Sequence, residues 1–320
     1  MRLVTYDFRG ARRLAAQVGE KVLIDLNRAY ALRLVERGEV RAEARALAEL
    51  PPEMLGFLDG GEPSMVAARH ALAFGADLAH HDPQQARGLG VVLDSDESGF
   101  HLLAPIPEPR QVLAVAVNYR DHAAEMQREL PLRPKIFAKV ATCIVASGAP
   151  ILRPRVSSFV DWEGELCVVI GRRARNVAAA DALDFVAGYT IGNDVTARDW
   201  QLHSPTLMMG KSFDSFGPLG PALVTRDEGP DPQSLEIRTL VNGVIKQDSN
   251  TRHMLFGVAQ IIEYLSAAFT LRPGDVLFTG TPPGVGAGRE PPESLAAGDV
   301  VRVEISGLGA LENPVVEESA

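Results

Sequence analysis

The sequence predicts a β-rich α+β domain that closes on itself, preceded by a small α/β domain. After about residue 100, short β-rich segments alternate with turns such as VNGV, RPGD and AAGD, whereas residues 26–79 carry Ala, Leu and Glu at helical spacing. The 320 residues, 46% of them hydrophobic, can bury one large core or one large and one small core. We therefore expect a small N-terminal domain over residues 1–100 and a larger domain over residues 101–320.

The smaller domain is predicted to begin with strands and continue with helices. Residues 1–27 alternate in the manner of short strands broken by RGAR and VGEK. The segments AYALRLVERGEVRAEARALAEL and PSMVAARHALAFGADL predict two helices, and PPEM starts a third, short one. A looser stretch, HHDPQQARGLGVVLDSDESG, then leads to the domain boundary.

The larger domain is predicted to contain many short strands and few helices. The strand segments are QVLAVAVNY, ELCVVIG, DFVAGYTIGND, PALVT, LEIRTLVNGVIKQ, DVLFTGTP and DVVRVEIS. Helices are expected after Asn118 and at MLFGVAQIIEYLSAAF. Because helices do not alternate regularly with the strands, this pattern excludes a doubly wound parallel sheet.

Composition excludes several classes of protein. A net charge of −9 argues against nucleic-acid binding, which needs clustered Lys and Arg. The two cysteines, Cys143 and Cys167, fit buried thiols in a reducing compartment. The first residues contain no continuous apolar run, so we expect neither secretion nor membrane insertion, and a cytoplasmic location.

Three carboxylates indicate a metal site. Glu163 and Glu165 precede the apolar run 166–170, and residues i and i+2 of an extended chain point to the same face, roughly 6–7 Å apart. Asp194 follows another strand-like run and is expected at a strand end facing the same cavity. An all-oxygen ligand set suits Mg²⁺ or Mn²⁺, with Ca²⁺ also compatible, rather than zinc. The alternative is a solvated edge strand neutralised by nearby arginines, namely Arg172, Arg173 or Arg175.

His122 and Glu125 form a second candidate cluster. They stand at i and i+3 in the first turn of a predicted helix, which puts both side chains on one face within hydrogen-bonding reach. A carboxylate that orients an imidazole makes it a better general base. The alternative is an ordinary helix N-terminus whose acidic residues complement the helix dipole.

Two lysines and a turn complete the candidate site. Lys139 and Lys211 lie in apolar or small-residue settings and could bind a substrate carboxylate or stabilise an oxyanion. The alternative is that each is a surface side chain with a buried stem. The segment DVLFTGTPPGVG is a strand running into a Gly/Pro turn whose hydroxyls and N–H groups could receive an anion.

Five motifs resemble those of the fumarylacetoacetate hydrolase family, both in their residues and in their order along the chain. The motifs are NYRDHAAEM, DWEGELCVVIG, GNDVTARDWQ, KSFDSFGPLGP and LFTGTPPGVG. The resemblance covers about residues 104–317. It implies a mixed β-sandwich roll for the larger domain and a homodimer formed through it.

The resemblance also implies roles for individual residues. Glu163, Glu165 and Asp194 match the Mg²⁺ or Mn²⁺ ligands. His122 and Glu125 match the pair that activates water, and Lys211 is expected to take part in catalysis. The expected substrate-binding residues are Lys139, Gln201, Thr281 (or Thr279) and Tyr119.

The implied reaction is metal-dependent hydrolysis of a carbon–carbon bond in a small 2-oxo acid such as an acylpyruvate or fumarylpyruvate. In this hypothesis the cation stabilises the enolate that remains when the bond breaks, and His122 activates the attacking water. The same site would suit an oxaloacetate-type decarboxylase, or a hydratase or isomerase of unsaturated 2-oxo diacids. A further alternative is a non-catalytic, metal-stabilised binding protein. The intact His122–Glu125 pair favours hydrolysis.

Overall fold

The computed structural model describes residues 1–319. Its first hundred residues form five strands and five helices. In chain order these are β1 (Arg2–Phe8), β2 (Ala11–Gln17), β3 (Val22–Asp25), α1 (Leu26–Glu36), α2 (Ala42–Glu49), α3 (Met54–Asp59), α4 (Gly61–His81), α5 (Pro83–Gly88), β4 (Val92–Asp94) and β5 (Phe100–Leu102). The predicted order of strands followed by helices is confirmed.

Two details of this region differ from the prediction. The first helical segment forms two helices, because α1 ends before Gly38, whose φ of +79° is the left-handed conformation that closes a helix. The stretch that we expected to be loose contains α5. There the Asp82 side chain accepts a hydrogen bond from the Gln85 N–H, and Pro83 occupies the first turn.

The remaining residues form fourteen strands and four helices within the described chain. In order they are β6 (Val112–Ala116), α6 (Arg120–Glu125), β7 (Lys135–Lys139), β8 (Ile144–Val145), β9 (Ile151–Arg153), β10 (Val160–Asp161), β11 (Gly164–Ile170), β12 (Val186–Asn193), β13 (Thr196–Ala197), α7 (Arg198–Leu202), α8 (Met208–Lys211), β14 (Gly217–Thr225), β15 (Glu236–Val241), β16 (Val244–Asn250), α9 (Val258–Ala268), β17 (Val276–Phe278), β18 (Val300–Ile305) and β19 (Gly309–Glu317). Both predicted helices are present, as α6 and α9. The short helices α7 and α8 were not predicted.

Two mixed sheets account for most of these strands. The larger has twelve strands in the order β4-β3-β2-β1-β14-β12-β11-β17-β6-β7, with β5 beside β1 and β8 beside β14. The smaller has the order β16-β15-β18-β19-β9, and β10 pairs with β13 separately. Apolar side chains from both sheets, including Leu166, Ile191, Ile237 and Val303, form one buried cluster. The α+β sandwich is thus confirmed, although its sheets are open and do not close into a barrel.

The N-terminal strands extend the sheet of the larger domain. Strand β1 pairs antiparallel with β14, with Leu3 opposite Leu223. Their side chains share a core with α1, α4 and Phe278. The division at residue 100 therefore crosses a continuous sheet, and two separate domains remain a prediction. Within residues 1–319, the helices are all too short or too polar to cross a bilayer.

Candidate active site

Strands β11 and β12 bring the three predicted carboxylates together. They pair antiparallel with Gly164 opposite Asn193, so the start of one strand lies beside the end of the other. One oxygen from each of Glu163, Glu165 and Asp194 lies within 4.8 Å of the others. All three residues are buried, with Glu165 only 1% exposed. This burial rules out the alternative of a solvated edge strand.

Two buried lysines neutralise part of this cluster. The Lys211 ammonium lies 2.7 Å from Glu163 Oε2 and 2.6 Å from Asp194 Oδ2. The Lys139 ammonium lies 2.6 Å from Asp194 Oδ1 and also donates to the carbonyls of Lys211 and Phe216. These three acceptors use all the donors of Lys139, so this structure shows it binding the cluster. Its contact with substrate stays a prediction.

Arg198 is a third cation at the cluster, and sequence reasoning did not single it out. Its Nη1 lies 2.7 Å from Glu163 Oε1, and its Nε donates to Asp161 Oδ2 at 2.8 Å. The available signal was its position four residues after Asp194, at the start of a helix that folds back toward the ligands.

The surroundings of the cluster shift the pKa values of two of its carboxylates in opposite directions. Burial alone would raise the pKa of Glu163, but Lys211 and Arg198 outweigh it and lower that pKa to about 2. Burial, together with the charges of Asp194 and Glu163, raises the pKa of Glu165 well above its ordinary value. One hydrogen bond from the Gly280 N–H, at 2.6 Å, does not offset these effects. Glu165 thus lacks a cationic partner among the described residues.

The residues present fit a hard divalent cation. Lys211 and Lys139 contact Glu163 and Asp194, while Glu165 contacts neither lysine. A divalent cation would supply the missing positive charge, and carboxylate oxygens are its preferred ligands. Glu163, Glu165 and Asp194 would hold it.

The His122–Glu125 pair lies beside this cluster. His122 Nδ1 is 3.0 Å from Glu125 Oε2, and the Gly284 N–H donates to Glu125 Oε1 at 2.8 Å. Glu125 is therefore fixed on both oxygens and orients the imidazole, which leaves Nε2 as the nitrogen that can face a ligand. The imidazole is close enough to Glu163 to contribute to lowering its pKa.

The predicted threonines hold the turn after β17 against β11. Thr281 Oγ1 donates to the Gly164 carbonyl at 3.0 Å and accepts from Gln247 Nε2 at 2.7 Å. Thr279 Oγ1 donates to the Leu166 carbonyl at 2.8 Å. Since both hydroxyls bind protein groups, these contacts show a structural role, and substrate binding by Thr281 stays a prediction.

Gln201 and Tyr119 occupy contrasting positions. Gln201 is half-buried and accepts a hydrogen bond from Arg198 Nη1 at 3.2 Å. Tyr119 is wholly buried, and its hydroxyl has no hydrogen-bond partner within residues 1–319. Burial and the charge of Glu165 raise the Tyr119 pKa. Substrate contact by either residue is untested.

Sequence reasoning also missed three polar side chains that shape the site. Asn118 Nδ2 donates to the Thr279 carbonyl at 2.7 Å, and Gln247 Nε2 donates to the Pro282 carbonyl at 2.7 Å. Asp161 accepts from the Gly286 and Ala287 N–H groups, and from Arg198. Asn118 and Asp161 stand at strand ends inside the quoted motifs, which was a usable signal. Gln247 lies on a strand of the other sheet, so no local pattern pointed to it.

The larger part of the chain is similar to a known protein family. Residues 111–316 match the family model described as fumarylacetoacetate (FAA) hydrolase C-terminal. The chain is also 46% identical over 269 residues to the mitochondrial oxaloacetate tautomerase of Xenopus laevis, covering 83% of this chain and 79% of that one. Because that relative is mitochondrial, the expected cytoplasmic location remains a prediction.

Two solved structures share the whole architecture. A fumarylacetoacetate hydrolase from Exiguobacterium antarcticum superimposes with a TM-score of 0.74 at 32% identity, covering 99% of this chain and 100% of that one. A 2-hydroxyhepta-2,4-diene-1,7-dioate isomerase from Mycobacterium marinum gives a TM-score of 0.69 at 32% identity, covering both chains completely. Both neighbours span the N-terminal region as well as the part that matches the family.

Proposed function

Because the chain belongs to the fumarylacetoacetate hydrolase family, an enzyme family, we propose that it interconverts the enol and keto forms of a small 2-oxo diacid resembling oxaloacetate, using a divalent cation. The observation that carries this proposal is the buried cluster of Glu163, Glu165 and Asp194 with the His122–Glu125 pair beside it. The cluster suits a cation that binds a 2-oxo acid, and the pair suits proton transfer.

The relatives favour proton transfer over the carbon–carbon cleavage that the sequence alone placed first. The Xenopus relative is named a tautomerase, and the Mycobacterium marinum neighbour is named an isomerase. Both reactions require a base and a polarised ketone, and neither consumes water. His122 is the candidate base, and the carboxylate cluster is the candidate site for a cation that polarises the ketone.

The proposed roles follow from the contacts. Glu163, Glu165 and Asp194 would hold the cation, which would supply Lewis acidity to a bound 2-oxo acid. Glu125 fixes the His122 ring, so that Nε2 can take the C3 proton in the keto-to-enol direction. The C3–H electron pair becomes the C2=C3 bond, and the 2-oxo oxygen takes a proton from a water molecule. That water regains a proton from the His122 imidazolium, so no water is consumed. The Lys211 side chain lies beside the carboxylates of Glu163 and Asp194.

Hydrolysis of an acylpyruvate is the second candidate. The observation in its favour is the fixed His122–Glu125 pair, which suits activation of a water as well as removal of a carbon-bound proton. The Exiguobacterium neighbour is named a hydrolase. Decarboxylation of oxaloacetate needs no base and draws less support from this pair.

We also propose that the protein forms a homodimer, as the family resemblance implies.

One experiment separates these reactions. The purified protein, with Mg²⁺ or Mn²⁺, is given oxaloacetate, an acylpyruvate and fumarylpyruvate while enol absorbance is followed and products are identified by NMR. Conversion of enol to keto oxaloacetate without loss of carbon supports the tautomerase. Pyruvate with carbon dioxide indicates a decarboxylase, and pyruvate with a carboxylic acid a hydrolase. If a protein with bound cation turned over none of them, the proposal would be wrong.

A further inference from the structure

We propose that Asp161 is a positioning residue that couples the His122–Glu125 pair to the carboxylate cluster through the turn at residues 284–288. The inference rests on the proposed function and adds a positioning residue to the proposed active site. Asp161 is fully buried and lies two residues before Glu163. Pairing of β10 with β13, with Asp161 opposite Thr196, brings it next to Arg198.

Asp161 anchors one end of the turn. Its Oδ1 accepts from the Gly286 N–H at 2.6 Å, and its Oδ2 accepts from the Ala287 N–H at 2.9 Å. The Trp162 N–H also donates to Oδ1, at 2.8 Å. A carboxylate that accepts several backbone N–H groups in a buried setting holds them firmly, because charge-assisted hydrogen bonds are the stronger kind.

The other end of the turn holds Glu125. The Gly284 N–H donates to Glu125 Oε1 at 2.8 Å, and Glu125 in turn holds His122. The turn also packs directly on both carboxylates. A Cβ at Gly286 would stand 2.8 Å from Asp161 Oδ1, and one at Gly288 would stand 2.5 Å from Glu125 Cδ. The backbone of the turn therefore approaches Glu125 closely at both Gly284 and Gly288.

Arg198 carries the connection to the cluster. Its Nε donates to Asp161, and its Nη1 lies 2.7 Å from Glu163 Oε1. The buried guanidinium thus shares its charge between the carboxylate that anchors the turn and one that would hold the cation. Asp161 thus fixes the distance between the two halves of the site without belonging to the carboxylate cluster or to the His122–Glu125 pair.

The variant Asp161→Asn tests this role with little change in volume. An amide has one oxygen, so its NH₂ group must replace either Oδ1, which accepts from Gly286 and Trp162, or Oδ2, which accepts from Ala287 and Arg198. One of these two sets of donors therefore loses its acceptor. We expect kcat to fall by about 10- to 100-fold, while KM changes by less than about threefold, as for loss of an interaction made in the transition state. Unchanged kcat would overturn the inference.

A double variant at Asp161 and Glu125 distinguishes a positioning role of Asp161 from a general loss of structure. If Asp161 acts through Glu125, Asp161→Asn combined with Glu125→Gln should be no slower than the slower single variant, within about threefold. Multiplied effects would overturn the inference. The matched control is Asp275→Asn, since Asp275 is also buried and accepts from Gln111 and from the Arg272 N–H. Its effect should multiply with that of Glu125→Gln.

Two further measurements do not depend on turnover. In protein with ¹⁵N-labelled histidine, Asp161→Asn should alter the ring-nitrogen signals that report the His122 tautomer, whereas Asp275→Asn should not. Mn²⁺ affinity, measured by calorimetry, should stay within about fivefold of the wild type, because Asp161 is not one of the three carboxylates that would hold the cation and Arg198 still pairs with Glu163. Loss of Mn²⁺ binding, or unaltered His122 signals, would overturn the inference.

A second variant guards against poor folding of the first. Gly286→Ala places a Cβ against Asp161 Oδ1 and the Glu293 carbonyl, so it should displace the turn and reproduce the kinetic and NMR changes. The assays use whichever 2-oxo acid the wild type converts. A wild type that converts none defeats the proposed function, while the NMR and Mn²⁺ measurements still decide the role of Asp161. Normal turnover by Asp161→Asn defeats only this inference.

Discussion

The Lys211 ammonium lies 2.7 Å from Glu163 Oε2 inside the protein, where both side chains are almost fully excluded from water. The same ammonium reaches Asp194 at 2.6 Å. A buried charge is tolerated when it is paired, and removing one partner leaves the other uncompensated in a medium of low polarity. In the described part of the chain, Lys211 is the one cation that both carboxylates share, while Arg198 also pairs with Glu163 and Lys139 with Asp194.

Lys211→Met should strongly destabilise the cation-free protein. Met keeps the apolar stem but removes the charge shared by Glu163 and Asp194. Of the cations that the structure describes, these carboxylates then keep only Arg198 and Lys139 as partners. Breaking a buried pair typically costs about 3–5 kcal/mol. Urea unfolding in the presence of a chelator measures the loss. The control is Lys21→Met, whose ion pair with Asp96 is exposed and should contribute nothing measurable. Equal stability of Lys211→Met and wild type would contradict the pairing.

Glu165→Gln should separate cation binding from folding. Glu165 forms no ion pair in the cluster, and burial with two neighbouring carboxylates disfavours its charge, so a neutral amide should not destabilise the cation-free protein. In the wild type, a cation at 100 times its Kd should add about 2.7 kcal/mol to the free energy of unfolding. Glu165→Gln should lose most of that gain.

Thermal unfolding with and without Mn²⁺ or Mg²⁺ measures the effect on Glu165→Gln. The exposed Glu236→Gln serves as the control and should keep the full stabilisation by cation. If chelation leaves the melting temperature of the wild type unchanged, or if Glu165→Gln responds to the cation like the wild type, the carboxylate cluster is not a cation site.

Much of the fold could be predicted from the sequence, because each strand is indicated by residues that lie close together in the chain. The apolar run 166–170 predicted the buried strand β11, and Gly/Pro turns separated most of the other strands. The extension of the sheet through the pairing of β1 with β14 could not be predicted in this way. It depends on Leu3 lying opposite Leu223, a pairing across more than two hundred positions that no periodicity encodes.

The site divides in the same way. Glu163 and Glu165 share a strand, and His122 and Glu125 share one helical turn, so spacing alone predicted that each pair would meet. The link from Asp161 to Arg198 exists only because β10 pairs with β13. Sequence spacing also could not show that Lys139 donates its hydrogen bonds to Asp194 and two carbonyls, since these partners come from distant segments.

His122→Gln should abolish turnover and leave the cation site intact. Loss of a positioned general base typically lowers the rate by about 10²- to 10⁴-fold, whether the proton comes from carbon or from water. His122 does not belong to the carboxylate cluster, so Mn²⁺ affinity should be retained. Steady-state kinetics on oxaloacetate and an acylpyruvate, with calorimetric Mn²⁺ titration, test both parts. The exposed His101→Gln is the control. Normal rates for His122→Gln would remove its catalytic role.

Gly192→Ala should destabilise the strand pair that carries the ligands. Gly192 lies opposite Glu165, and a Cβ there would stand 2.4 Å from Cys167 Sγ and 2.5 Å from Phe278 Cε1. Overpacking of this kind costs about 1–3 kcal/mol, because the neighbours must leave their rotamers or the strands must separate. Separation would also displace Glu165, so cation affinity should fall along with stability. In the control, Gly88→Ala, the new Cβ meets no atom within 4 Å in a helix and should be neutral or slightly stabilising. Urea unfolding and Mn²⁺ titration compare the two variants, and unchanged values for Gly192→Ala would show that the strand pair adapts without moving Glu165.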